Sequence, residues 1–251
     1  MDLGLNGRTV IVTGGSGGIG RHIALGFAAE GADVVVTYRR ERSDAEGVVK
    51  ELDGAGLAVP FDLAAPDAAA RLVEAATAWT SRVDVVVNNA VHWGATTPDE
   101  DGRFETVPDD DWLAVLRTNV EGALGLTRAA APGMRRRGWG RLVHLSSSVA
   151  VNGMPGGEYY GAAKAALHGF SRSAAFSLGR DGDILSNVVM PGLTRTARNG
   201  PIVDVAGERL SEIAPIGRLL DAAEVAKAVV YLGSAANTGI TGQVIAVTGG
   251  S

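Results

Sequence analysis

The sequence predicts an α/β protein: a doubly wound, predominantly seven-stranded parallel sheet flanked by helices on both faces. Two observations predict it. Seven apolar runs of strand length, at residues 9–13, 34–37, 57–61, 83–88, 141–146, 184–190 and 244–247, alternate with helical patterns near 18–30, 43–53, 67–80, 109–134, 157–179 and 221–234. Several of these runs are unbroken Val/Ile/Leu stretches, which is how strands read when both faces are covered. The β–α rhythm then implies right-handed crossovers and ligand binding at the carboxyl ends of the strands.

The 251 residues contain no linker, repeat or low-complexity block, so residues 1–251 are expected to form one domain. Two segments depart from the rhythm, 91–108 and 193–215, and long irregular connections of this kind are usually lids or binding loops. A formal charge of −5, with no basic block beyond Arg135–Arg137, argues against a nucleic-acid partner. The chain has no cysteine, which excludes disulfides, thiol nucleophiles and Cys-based metal sites. His22, His92, His144 and His168 have no metal-ligand spacing, so no metal is expected. No apolar run approaches the ~18 residues a membrane span needs, and the first residues lack a signal-peptide pattern. The cytoplasm is the expected location.

The first strand runs into Thr13-Gly14-Gly15-Ser16-Gly17-Gly18-Ile19-Gly20 and then a helix. Glycines permit a sharp turn and close approach to a phosphate, and the helix start behind them offers free N–H groups and partial positive charge. Gly15, Gly17 and Gly20 fit the dinucleotide fingerprint of a Rossmann-type fold; a flexible turn without a ligand is the plainer reading. Gly14-x-Ser16-x-Gly18 also matches a hydrolase nucleophile elbow, but only a dozen residues precede it, too few for the strands that fold needs first. Strand two ends in Tyr38-Arg39-Arg40, with no carboxylate for a ribose 2′-hydroxyl. Arg39 and Arg40 suit a 2′-phosphate, which favours NADP(H), with NAD(H) open; solvated surface charge is the alternative.

Tyr160 and Lys164 lie four apart on a helix that follows the fifth strand and its terminal Ser146-Ser147-Ser148. A phenol is a poor base at neutral pH. An ammonium beside it is expected to lower its pKa into a useful range for acid–base work. Tyr159 points about 100° away and is set aside.

Taken together and in order, these motifs resemble the short-chain dehydrogenase/reductase family in its small single-domain form. The resemblance covers nearly the whole chain. It rests on Thr13, Gly14, Gly18, Ile19 and Gly20; Asn88-Asn89-Ala90-Val91; Asn119; Ser147, thirteen before Tyr160; Tyr160 and Lys164; Asn187, Val189, Pro191, Gly192 and Thr196; and Ile240-Thr241-Gly242-Gln243 before Gly249-Gly250. It implies hydride transfer between a nicotinamide and a carbonyl or alcohol carbon. Ser147 would bind the substrate oxygen and Tyr160 would transfer the proton. Lys164 would hold the nicotinamide ribose and acidify Tyr160. Asn119, near a helix kink, would hold a relay water through its backbone. Ser16 and Gly17 would belong to the phosphate turn, while Asp62, Leu63, Asn89 and Ala90 would line the adenosine side. Pro191, Gly192, Leu193 and Thr196 would border the nicotinamide. For Asp62 a charge at the start of the following helix is the alternative.

Three positions depart from the family pattern. Val91 replaces the last glycine of the strand-four motif, Gly17 replaces an arginine common among NADP-using relatives, and Thr248 stands where a carboxylate is common. The overall look is similar to 3-oxoacyl-carrier-protein reductases and related ketoreductases. The expected activity is NADPH-dependent reduction of a ketone, with an NAD-dependent secondary-alcohol dehydrogenase and a catalytically silent redox sensor as alternatives. The substrate is a small carbonyl or alcohol, free or as an acyl chain on a carrier protein. Arg135–Arg137 and Arg141 would meet an acidic carrier or simply cap a helix dipole. Trp93, His92, Val149, Met154 and Leu193 are candidate pocket walls. By resemblance, a homotetramer is expected, built on the two long helices.

Overall fold

The computed structural model describes residues 2–94 and 103–250. The first half runs β1 (Thr9–Val12), α1 (Gly18–Ala29), β2 (Asp33–Tyr38), α2 (Arg42–Glu51), β3 (Gly56–Pro60), α3 (Ala68–Thr80), β4 (Val85–Asn88) and, after a short 3₁₀ turn (Phe104–Thr106), α4 (Asp109–Leu116). A π-helical turn, Arg117–Glu121, leads into α5 (Gly122–Arg137). The second half runs β5 (Trp139–Leu145), α6 (Val149–Asn152), α7 (Glu158–Leu178), β6 (Asp183–Pro191), β7 (Thr194–Arg195), α8 (Gly200–Ile213), β8 (Leu220–Asp221), α9 (Ala222–Leu232) and β9 (Val244–Val247).

One seven-stranded sheet has the order β3-β2-β1-β4-β5-β6-β9, every pair parallel. The order reverses between β1 and β4, and this switch point places the ends of both strands at the site. The unbroken apolar runs have a direct cause. Val10, Val12, Val34 and Val36 pack with Ile23 and Phe27 of α1 and Val225 and Val229 of α9. The intervening Ile11 and Val35 pack on the opposite face with Leu72 of α3 and Leu126 and Met134 of α5. Both sides of each strand are core, so alternation disappears.

Two expectations need correction. Residues 193–215 are not an irregular connection. They hold β7 and the 14-residue α8, which begins with Pro201 in its first turn and buries only Gly207. Its inward stripe is Val203, Ala206, Gly207 and Leu210, but the exposed Ile202, Val205 and Ile213 place apolar residues on the outer side too and blur that stripe in the sequence. Residues 109–134 are not one uniform helix either, because the wide turn at 117–121 interrupts them. Of the loop 91–108, residues 95–102 lie outside the described residues.

Buried charge is concentrated at the amino-terminal edge of the sheet. Asp84 is fully buried and accepts from Arg82 Nε at 2.6 Å, Arg82 Nη2 at 2.9 Å and the Thr9 N–H at 3.0 Å. Arg141, also fully buried, ties β5 to its surroundings. It donates to the carbonyls of Ser234, Gly140, Asp183 and Asn237 at 2.7–3.0 Å and to the Asp183 carboxylate at 2.9 Å.

His144 on β5 is wholly buried, its Nδ1 3.1 Å from Asn88 Nδ2. Burial, aided by the Lys164 ammonium, pushes its pKa from 6.5 to about 4. The unfolded chain therefore binds a proton below pH 6.5 that the native protein refuses until about pH 4. Stability falls as pH drops through that window. Replacing His144 with Asn is expected to remove about 2–3 kcal/mol from the stability difference between pH 7 and pH 4.5. Urea unfolding of both proteins at the two pH values measures it, and equal acid losses would contradict a neutral buried imidazole.

Candidate active site

The turn after β1 is held from both sides. The Thr13 hydroxyl donates to the Val87 carbonyl at 3.1 Å and accepts the N–H groups of Asn89 and Ala90, each at 2.9 Å. Asn89 Nδ2 donates back to the Thr13 carbonyl at 2.8 Å, and the Gly14 N–H donates to Thr37 Oγ1 on β2 at 3.0 Å. Thr13 and Thr37 thus fasten the turn to β4 and β2. Gly14 has φ +64°, a region that side chains disfavour. A Cβ on Gly20 would lie 2.3 Å from the Gly14 carbonyl oxygen, so only glycine lets the helix start so close to the strand. No side chain caps α1 at Gly17, which leaves its first N–H groups to an incoming anion. This cradle fits the pyrophosphate of a dinucleotide. Arg39 and Arg40 are exposed at the end of β2.

Across the switch point, β5 ends beside β6: the Ser146 N–H donates to the Val189 carbonyl at 2.8 Å and the Ser148 N–H to the Pro191 carbonyl at 2.9 Å. That ladder brings Ser147 alongside Pro191, Gly192 and Leu193. Helix α7 presents Tyr160 and Lys164, both buried, to the same place. The Ser147 hydroxyl is near enough to Tyr160 to favour its phenolate. Tyr159 points elsewhere: it is exposed, donates to the Phe104 carbonyl at 3.0 Å and stacks on Trp112. Lys164 Nζ donates to the Leu145 carbonyl at 2.8 Å and sits 5.8 Å from the Tyr160 ring centroid. Burial lowers its pKa to about 8.

The phenol is not acidified as expected. Trp93 stacks on its ring at 3.8 Å, and burial pushes the Tyr160 pKa up, opposed only in part by the neighbouring Ser147 hydroxyl. Burial disfavours the phenolate, and the Lys164 ammonium is turned to the Leu145 carbonyl. Trp93 owes its place to Asn119. In the π-helical turn, Asn119 Oδ1 accepts the His92 N–H at 3.0 Å while its Nδ2 donates to the His92 carbonyl at 2.6 Å and the Val115 carbonyl at 2.8 Å. The Asn119 amide is thereby committed to the loop after β4. Thr196 also joins the site, its Cγ2 lying 3.9 Å from a Cβ built on Gly18.

Comparison with known proteins agrees with this geometry. A family model described as Enoyl-(Acyl carrier protein) reductase matches residues 14–251. Nodulation protein G of Rhizobium sp. (strain N33) is 37% identical over 246 residues, covering 98% of this chain and 97% of that protein. The 3-oxoacyl-(acyl-carrier-protein) reductase FabG of Pseudomonas aeruginosa is 34% identical over 253 residues, covering 99% and 98%. A solved structure titled short chain dehydrogenase/reductase family protein superposes with a TM-score of 0.84 at 35% identity, covering 100% of this chain and 98% of that one. The chain belongs to the short-chain dehydrogenase/reductase family. It is an NAD(P)-dependent oxidoreductase acting on CH–OH/C=O groups. A 3-oxoacyl (acyl-carrier-protein) reductase from Agrobacterium tumefaciens C58, solved with NADP bound, superposes with a TM-score of 0.89 at 30% identity, covering 100% and 96%.

The remaining predicted positions of this short-chain dehydrogenase/reductase divide clearly. Asp62 is exposed and accepts the Ala64 N–H at 3.0 Å; α3 begins only at Ala68, so Asp62 does not serve that helix start. Leu63 packs against the start of α5, its Cδ2 2.6 Å from a Cβ built on Gly122. Arg141 is no docking residue, because it is fully buried. Arg135 pairs with Asp181, and Arg137 binds the Val83 carbonyl and Asp84. Sequence reasoning passed over Thr37 and Arg198, since nothing local marks a residue whose partner is far along the chain. Among the described residues, no helix is long and apolar enough to cross a membrane.

Proposed function

We propose that the protein reduces a ketone to a secondary alcohol with NADPH, a 3-oxoacyl thioester being the favoured substrate, in the cytoplasm. The observation that carries this reading is buried Tyr160 with Ser147 near its hydroxyl and buried Lys164 four residues on along α7, at the same end of the sheet as the glycine turn. The turn at 14–20 would hold the pyrophosphate, Arg39 and Arg40 the 2′-phosphate, Asp62 and Ala90 the adenosine, and Pro191–Thr196 the nicotinamide. The nicotinamide supplies the hydride when bound. Ser147 donates to the substrate oxygen and fixes the carbonyl. Tyr160, kept protonated by its buried setting, gives its proton to that oxygen as negative charge develops there. Lys164 stabilises the phenolate left behind, and its pKa near 8 lets it pass a proton onward at neutral pH. Asn119 acts as a positioning residue through His92. The 3-oxoacyl reductase relatives support the substrate class. The groove lined by Leu124, Ala131, Phe170 and Ala174 of α5 and α7 supports the homotetramer.

The test follows NADPH absorbance with a panel of 3-oxoacyl thioesters and free ketones. Turnover with thioesters, faster with NADPH than with NADH, is the expected result. Tight NADPH binding without turnover of any compound would replace this reading with a silent sensor, and a preference for NADH would remove the role given to Arg39.

A further inference from the structure

Gly17 has extended backbone, φ −176°, so its conformation does not demand glycine. Space does. A Cβ there would lie 2.5 Å from Arg198 Cζ and 2.8 Å from its Nε and Nη2. Arg198 comes from the segment between β7 and α8, and its guanidinium reaches over the turn to donate to Asp44 Oδ2 at 2.6 Å, in the first turn of α2. It therefore bridges the starts of the two helices that follow β1 and β2. The backbone that carries it is fixed without this ion pair. Thr196 donates twice to Asn199 Oδ1, at 2.9 and 3.0 Å, Asn199 Nδ2 donates to the Thr194 carbonyl at 2.7 Å, and the Arg198 N–H donates to Thr196 Oγ1 at 3.3 Å.

Position decides which anion the guanidinium meets. Gly14 and Gly20 face Asn89 on the β4 side of the turn, whereas Gly17 faces Arg198, whose guanidinium is paired with Asp44 of α2, the helix that follows Arg39 and Arg40 in the chain. The Arg198 and Asp44 side chains are 59% and 43% exposed. An exposed pair of this kind is worth little, so the carboxylate is readily exchanged for a dianion that accepts two parallel N–H bonds.

We infer that Arg198 is a cofactor-specificity residue: its guanidinium leaves Asp44 for the 2′-phosphate of NADP(H), returning to the space over Gly17 the positive charge that residue 17 lacks. This rests on the NADP(H) reading above. Binding of NADPH and NADH is measured by fluorescence titration for the wild type, for Arg198→Met, and for Arg198→Met combined with Gly17→Arg. Arg198→Met weakens NADPH about tenfold and leaves NADH within about twofold, and the added Gly17→Arg recovers most of the loss. Equal weakening of both cofactors places Arg198 on the pyrophosphate and overturns the inference. Unchanged NADPH binding overturns it too, but leaves the proposed function standing. A wild-type protein that binds neither cofactor brings down both.

Discussion

Replacing Tyr160 with Phe is expected to lower kcat/KM by about a thousandfold, within the 10²–10⁴ range that a positioned general acid contributes. The ring stays, so the stack with Trp93 at 3.8 Å and the packing of α7 persist. Only the hydroxyl and its proton are lost. NADPH affinity should therefore move little, and the loss should appear in kcat, as it does when an interaction made in the transition state is deleted. Tyr159→Phe is the matched control: its hydroxyl meets the Phe104 carbonyl at the surface, so kcat/KM should stay within about threefold. Steady-state and single-turnover rates on the two variants decide it. A large loss from Tyr159→Phe with little from Tyr160→Phe would assign the proton transfer to the wrong hydroxyl.

Arg141→Met is expected to destabilise the protein by about 2–4 kcal/mol, because buried carbonyls left without their charged donor cost ~1–3 kcal/mol each, while the Asp183 carboxylate, 47% exposed, stays solvated. The methionine fills much of the space. It leaves the Ser234, Asp183 and Asn237 carbonyls without the donor that now serves them at 2.7–3.0 Å. These carbonyls belong to the connection after α9 and to the start of β6, so the far corner of the sheet should loosen while the switch point, at the other end of the strands, keeps its geometry. Urea unfolding measures the loss. A change under about 1 kcal/mol would mean that water replaces the guanidinium without cost.

Much of this was readable in the sequence because it depends on local pattern. Strands β1, β2 and β4 are Val/Ile runs whose two faces are both core, and that requirement writes itself as an unbroken run. The glycine turn was legible because close approach excludes every side chain at Gly20. Tyr160 was preferred over Tyr159 by a helix-face argument, and α7 does bring Tyr160 to Ser147. What escaped depends on distant partners. Helix α8 exposes Ile202, Val205 and Ile213 beside its inward Val203, Ala206 and Leu210, so apolar residues ring the helix and hide the stripe. The direction of the Tyr160 shift turned on burial, and Trp93, 67 positions earlier, is one of the residues over the ring. The place of Arg198 turned on an absence at Gly17 that looked like a loss.

The π-helical turn at Arg117–Glu121 also has a consequence for how the chain tolerates length change. A π turn holds roughly one residue more than an α turn, and one extra residue rotates everything beyond it by about 100°. Before the turn α4 packs on α7; after it, α5 packs on α3, β4 and β5. The wide turn is thus a phase shifter that lets one rod serve neighbours on two bearings. Deleting a single residue there would tighten the coil into regular helix, yet swing Leu126, Ala130 and Met134 off their bearing on the sheet.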